Sequence, residues 1–154
     1  MKRLYVILLC TLAVCMVASA QSSDKRYKEA KALYDAKNYD AAFPKLKAMA
    51  EKGHKKAQYR LGRCYDKGHG VAENNTLAFQ WYMKSAKQDY AKAQYQLGKS
   101  YMKGKGVAAE QKKASSWLKK AVKNEKGGKD ILAKIRKDVA DGDEDAKTML
   151  RLVK

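Results

Sequence analysis

Between residues 55 and 123 the apolar side chains recur three and four apart, the period of helices that bury one face. Ala57, Leu61, Cys64 and Tyr65 share such a face until Gly68-His69-Gly70 breaks the pattern. It resumes behind Asn74-Asn75, residues suited to capping a helix N-terminus, with Leu77, Ala78, Trp81, Tyr82 and Ala86. The plan is then repeated: Ala93, Leu97 and Tyr101, a break at Gly104-Lys105-Gly106, and Ala114, Trp117, Leu118 and Ala121. The period-two alternation of a half-buried strand appears nowhere, so an all-α fold is expected.

Offset against itself by 36 residues, the chain matches over 57–86 and 93–122 with 14 identities in 30 positions. A period of this length marks supersecondary units that cannot bury their apolar faces alone and must stack on neighbours. Gly62 and Gly98 fall mid-helix, where glycine costs about 1 kcal/mol relative to alanine. A cost repeated at one place points to close helix approach, with the missing side chain admitting a neighbouring aromatic. Trp81 and Trp117, at equivalent places on the second helices, are expected to be core residues rather than ligand platforms.

The flanks continue the theme. Residues 24–52 read as a helix pair, with Ala30, Leu33 and Tyr34 before a Lys37-Asn38 turn and Tyr39, Ala42, Leu46 and Met49 after it. Pro44 is expected within the first turn or so of its helix, where a missing amide is tolerated. Residues 127–154 offer two more helices, split at Asp141-Gly142 with Asp143 as a cap, and Ile131, Leu132, Ile135, Val139, Met149, Leu150 and Val153 suit a terminal cap of the stack. The expected architecture is an α/α superhelical solenoid of about four antiparallel helix pairs, over 24–52, 55–90, 91–124 and 127–154.

The first twenty residues stand apart. Lys2 and Arg3 precede an apolar run from Leu4 to Val17, and Ala18-Ser19-Ala20 has the small-x-small pattern read by signal peptidase. The run is shorter than the roughly 20 residues of a membrane-spanning helix, so cleavage between Ala20 and Gln21 and export to the periplasm or medium are expected. Lipidation at Cys15 or Cys10 is disfavoured by the bulk of Val14 and Leu9 before them. Cleavage leaves 134 residues with a net charge of +16 and Cys64 as the single thiol. Packing must then supply all the stability, and Cys64, on a buried face, is expected to be inert.

The string A-x-x-x-L-G-x-x-Y-x-x-G-x-G-V, followed by A-x-x-W, resembles the Sel-one-like repeat, a relative of the tetratricopeptide repeat, and covers residues 57–122. The resemblance implies a right-handed superhelix and an adaptor or scaffold role, commonly in assembling envelope complexes. Some secreted relatives are rich in cysteines that lock each helix pair, and activity against β-lactam compounds is ascribed to a few. This chain lacks the paired cysteines.

Catalytic ingredients are scarce. His54 and His69, the only histidines, adjoin turn glycines with no cysteine or carboxylate at metal-ligand spacing, and are expected to be solvated turn residues. Ser85 and Ser115-Ser116 have no local base, and both Gly-x-Gly loops follow a helix rather than a strand, unlike phosphate-cradling loops. No enzymatic activity, metal or cofactor is expected. A surface does emerge. At about 100° per residue, Tyr59, Arg63, Asp66 and Lys56 lie opposite the buried Ala57, Leu61 and Cys64. Tyr95, Lys99, Met102 and Lys92 repeat the arrangement, and Tyr27, Lys31 and Tyr34 match it in the first pair. Tetratricopeptide-type superhelices line their concave groove with first helices, so Tyr27, Lys31, Tyr59, Arg63, Tyr95 and Lys99 are expected to line one here, with packing between repeats as the rival role for the tyrosines. The expected partner is a protein or peptide of acidic character. The alternative is an anionic polymer, a lipid head group or nucleic acid drawn by net charge alone.

Overall fold

The computed structural model describes residues 22–154, and among these the chain forms eight helices and no strand. They are α1 (22–35), α2 (Tyr39–Glu51), α3 (Lys55–Lys67), α4 (Asn75–Lys87), α5 (Ala91–Lys103), α6 (Gln111–Lys123), α7 (Gly128–Ala140) and α8 (Glu144–Val153). The signal-type segment, with Cys10, Cys15 and the Ala20-Gln21 junction, lies outside the described residues.

The helices pair antiparallel in chain order and stack into an α/α solenoid. α3 packs on α2 and α4, α5 on α4 and α6, and α6 closes on both α7 and α8. The core is accordingly a series of interfaces rather than one centre. Leu46 of α2 meets Leu61 and Cys64 of α3; Ala78 and Tyr82 of α4 meet Ala93 and Leu97 of α5; Leu118 of α6 meets Ile131, Ile135 and Met149 of the last pair. Fully buried alanines, among them Ala30, Ala42, Ala57, Ala93, Ala114 and Ala121, let the helix backbones approach.

Local sequence explains where each helix begins and ends. The side chains of Asn38, Asn74 and Asp143 accept from the amides of Ala41, Leu77 and Ala146, satisfying donors that would otherwise be orphaned. Gly68 and Gly104 close α3 and α5 in the left-handed conformation, their amides donating to Cys64 and Ser100. The chain then doubles back through matching bonds, Asn74 N–H to Tyr65 O at 2.8 Å and Glu110 N–H to Tyr101 O at 2.9 Å.

The repeated glycines divide into two kinds. A Cβ on Gly62 would stand 2.7 Å from the Tyr82 ring, as expected of an admitted aromatic, but one on Gly98 would stand 2.5 Å from Cγ of Leu118. Position 118 is the counterpart of 82, so the second repeat fills the same notch with an aliphatic side chain. Gly70 and Gly106 serve the junction between units. At φ 70° and 74°, a Cβ on them would come within 2.5 Å of Tyr39 O and 2.0 Å of Asn75 O, at the start of the preceding unit's second helix.

Two other expectations need correction. Pro44 is the sixth residue of α2 rather than in its first turn. It is exposed, so the carbonyl it leaves unbonded can tilt to water. Trp81 and Trp117 are half-buried at the margins of two core clusters, not core residues. Their chain neighbours Tyr82 and Leu118 take the interior positions instead.

Gly106→Ala should therefore cost about 2–4 kcal/mol, because the new methyl meets backbone in a left-handed conformation. Urea unfolding followed by circular dichroism measures it, and a loss below about 1 kcal/mol would show that the loop yields freely.

Candidate protein-interaction surface

The first helices α1, α3 and α5 carry the residues singled out in the sequence, and they separate into two groups by burial. Tyr27, Tyr59 and Tyr95 form a ladder of spacers between successive units. Tyr27 is 7% exposed and stacks on His54, the N-cap of α3, with ring centroids 4.7 Å apart. Tyr59, half-buried, meets Tyr90, the N-cap of α5, edge to face at 5.4 Å. Tyr95, 4% exposed, packs among Ile131, Ile135 and Met149. The rival role of packing between repeats thus describes Tyr27 and Tyr95 as placed.

The cations stay on the surface. Lys31 is exposed and pairs with Asp35 at 2.5 Å, whose other oxygen accepts from Arg60 at 3.0 Å. The Lys31 hydrogen bond, helped by the Arg60 charge, holds the Asp35 carboxyl below its ordinary range. Arg63 and Lys99 occupy equivalent places on α3 and α5. Each is half-buried over an aromatic ring, Arg63 at 5.5 Å from the Tyr34 centroid and Lys99 at 5.7 Å from that of Tyr95. Neither has a carboxylate in ion-pair range among the described residues. Burial, reinforced by Lys103 and Lys134, lowers the Lys99 pKa.

Arg60, Asp35, Asp66 and Lys105 were not legible as a set. Arg60 donates from Nε to the Tyr27 hydroxyl at 3.1 Å and lies over Tyr34 at 5.0 Å, so it joins the first two units. Lys105, in the second Gly-x-Gly loop, reaches back to Asp66 of α3 at 2.7 Å. Asp35, Arg60 and Asp66 lie on helices and only Lys105 in a loop, and the periodicity of one helix does not say which charges of different units will meet.

The histidines are packed, contrary to expectation. His54 caps α3 by accepting from Ala57 N–H at 3.2 Å. His69 stacks on Tyr39 at 3.8 Å and is hydrogen-bonded to the Tyr34 hydroxyl at 3.0 Å. Both sit where one unit's loop meets the preceding unit, which gives a turn histidine an aromatic wall to lie on. Burial lowers both pKa values below 6.5, and the Arg63 and Lys67 charges add to the effect at His69. Cys64 is buried and its thiol is pushed up to about 11 by burial, as an inert core thiol requires. No group of His, Cys, Asp and Glu suited to a metal ion occurs among the described residues, and no helix there is long and apolar enough to cross a membrane.

A stack of helix pairs presenting a charged first-helix face defines an α/α repeat scaffold. Residues 55–90 and 91–125 each match the Sel1 repeat, so the chain carries two tandem Sel1 repeats. It is similar to a solved Sel1 repeat protein from Oxalobacter formigenes, at 32% identity and a TM-score of 0.65, covering 83% of this chain and 53% of that one. It also shares the fold of c5321, described as a protective antigen present in uropathogenic Escherichia coli strains displaying an SLR fold, at 23% identity and a TM-score of 0.64, covering 85% of this chain and 28% of that one. The chain therefore spans about half the length of the first and under a third of the second. It matches no protein of curated function. Sel1 repeats generally form protein-interaction scaffolds and are typically non-enzymatic.

Because both histidines titrate lower in the folded state than in the unfolded one, the unfolded chain binds more protons in the interval between the two pKa values. Stability is then complete above the unfolded value and declines as pH falls through it. The midpoint of thermal unfolding should drop between about pH 7.5 and 5.5. The paired substitutions His54→Asn and His69→Asn, the first of which retains a capping side chain, should flatten that slope; an unchanged slope would assign it to other groups.

Proposed function

We propose that the chain is an exported scaffold whose first-helix face holds an extended acidic segment of a partner protein, with Arg63 and Lys99 as its anion contacts. The observation that carries this reading is the pair of equivalent, half-buried cations with no carboxylate in ion-pair range among the described residues, Asp143 and Asp145 acting on Lys99 only from farther off. A cation that has lost part of its water without gaining a counter-charge leaves interaction free energy unused, and a partner carboxylate would recover it. The rings of Tyr34 and Tyr95 lie 5.5 and 5.7 Å from the two charges and restrict where these side chains go, which lowers the ordering cost of binding. Tyr59 is half-exposed between them and supplies apolar contact, whereas Tyr27 and Tyr95 contribute by fixing the spacing of units. Lys31, already paired with Asp35, lies at the edge of the surface. The basic and then apolar N-terminal segment supports export, which would bring the scaffold among envelope or extracellular proteins.

Selection from a displayed library of nonamer peptides is expected to yield acidic sequences with an apolar anchor. Against a selected peptide, Arg63→Ala and Lys99→Ala should each weaken binding about tenfold, while Lys47→Ala, on the exposed face of α2, should change it less than about twofold. Equal small losses for all three, with a steep salt dependence, would assign the binding to net charge and sink the groove reading.

A further inference from the structure

The junction between the second and third helix pairs differs from the first in one place. In the first, Arg60 and Arg63 lie over the Tyr34 ring at 5.0 and 5.5 Å, and His69 is hydrogen-bonded to its hydroxyl at 3.0 Å. Their counterparts 36 residues on, Gln96, Lys99 and Lys105, surround no ring: Asp66 stands at the place of Tyr34, and a recess of about 140 Å³ lies beside its shorter side chain. Tyr82 of α4 borders the same recess. It is 2% exposed, and its hydroxyl is buried without a hydrogen-bond partner. Burial, with the Asp66 charge adding to it, raises the Tyr82 pKa far above the ordinary tyrosine range, so the hydroxyl keeps its proton and meets an anion only as a donor. Of the lysines around the recess, Lys105 holds Asp66 at 2.7 Å, Lys67 is 3.9 Å from the same carboxylate and Lys103 is paired with Asp145 of α8. Lys99 is the one left without an ion-pair partner among the described residues.

We propose that this recess receives one carboxylate side chain of the partner's acidic segment, bound between the Lys99 ammonium and the Tyr82 hydroxyl. The proposal rests on the first-helix reading and names the point at which that surface selects a partner rather than attracting it. A carboxylate has two oxygens and one charge, which matches one orphaned donor and one uncompensated cation. A phosphate monoester brings close to two charges where one is unbalanced, and a carboxamide brings none. General attraction by the surrounding lysines does not make this choice, because three of the four are already engaged by Asp66 and Asp145. A buried hydroxyl without an acceptor costs free energy that an entering oxygen recovers. The hydroxyl is covered in the free chain, but Gln96 and Lys99 beside the recess are long, flexible and half-buried, and can part to admit that oxygen.

The probes are N-acetylglutamate α-amide, which carries a single side-chain carboxylate, its neutral counterpart N-acetylglutamine α-amide, and inorganic phosphate. Each is titrated into the full chain while the lysine side-chain resonances are followed by NMR. The Lys99 resonance, assigned by its loss in Lys99→Gln, should move and saturate with the glutamate probe, at an affinity about tenfold above that for the glutamine probe or phosphate. Tyr82→Phe should weaken the glutamate probe about fivefold yet leave the urea-unfolding midpoint unchanged or higher, because the hydroxyl it removes has no partner in the free chain. A tyrosine with a structural role alone would show the reverse. Lys47→Gln should alter neither. An unmoved Lys99 resonance, equal affinity for the glutamine probe or phosphate, unaltered binding in Tyr82→Phe, or a midpoint lowered by that substitution would each overturn the proposal. If it is overturned while Arg63→Ala and Lys99→Ala still weaken the selected peptide about tenfold, the first-helix reading stands without the recess. If those two substitutions match Lys47→Ala, the first-helix reading itself has failed.

Discussion

No helix pair in this chain can bury its apolar face alone, and everything else follows from how one pair is fastened to the next. The fastening is backbone against backbone: the Gly-x-Gly loop of one unit lies against the first residues of the preceding unit's second helix, at Tyr39 and at Asn75. A side chain at Gly70 or Gly106 would hold the units apart and open the interfaces on which Leu61, Leu97 and Leu118 depend. The tyrosine ladder, the packed histidines and the placement of Arg63 and Lys99 are consequences of that close approach. They sit where they do because the spacing between units is already set.

Much of this was legible in the chain because repetition and helical period both report burial. The two Sel1 repeats, the caps at Asn74 and Asp143, the buried Cys64 and the absence of strand from the described residues follow from short-range pattern alone. What failed depended on the third dimension. Periodicity places Trp81 and Tyr82 on overlapping arcs of one helix, and only the positions of α3, whose Gly62 admits the ring, and of α5 decide that Tyr82 goes inside. Likewise the outward arc of a first helix in isolation is partly covered by the next unit, which is why Tyr27 and Tyr95 are buried while Arg63 and Lys99, longer and charged, reach solvent. His54 and His69 looked like turn residues because their aromatic partners lie in other helices.

The two faces of the stack differ in how their charge is arranged. On the first-helix side, cations are interleaved with Asp35 and Asp66 and several are tied down. On the second-helix side, α4 and α6 carry lysines with no carboxylate among them. A single value for net charge conceals this division.

Within each unit the far ends of the two helices are held together by carboxamides. Gln88 donates to Gly53 O at 2.9 Å and to Gln58 at 2.7 Å, and 36 residues later Asn124 donates to Asp89 O at 3.2 Å and to Gln94 at 3.4 Å. These bridges tie the end of each second helix to its own first helix and to the connector that enters the unit, while the glycine contacts fasten the unit to the preceding one. Each unit is thereby closed on itself before it is stacked, so the stack lengthens by adding finished blocks and the rise from Arg63 to Lys99 is the thickness of one block.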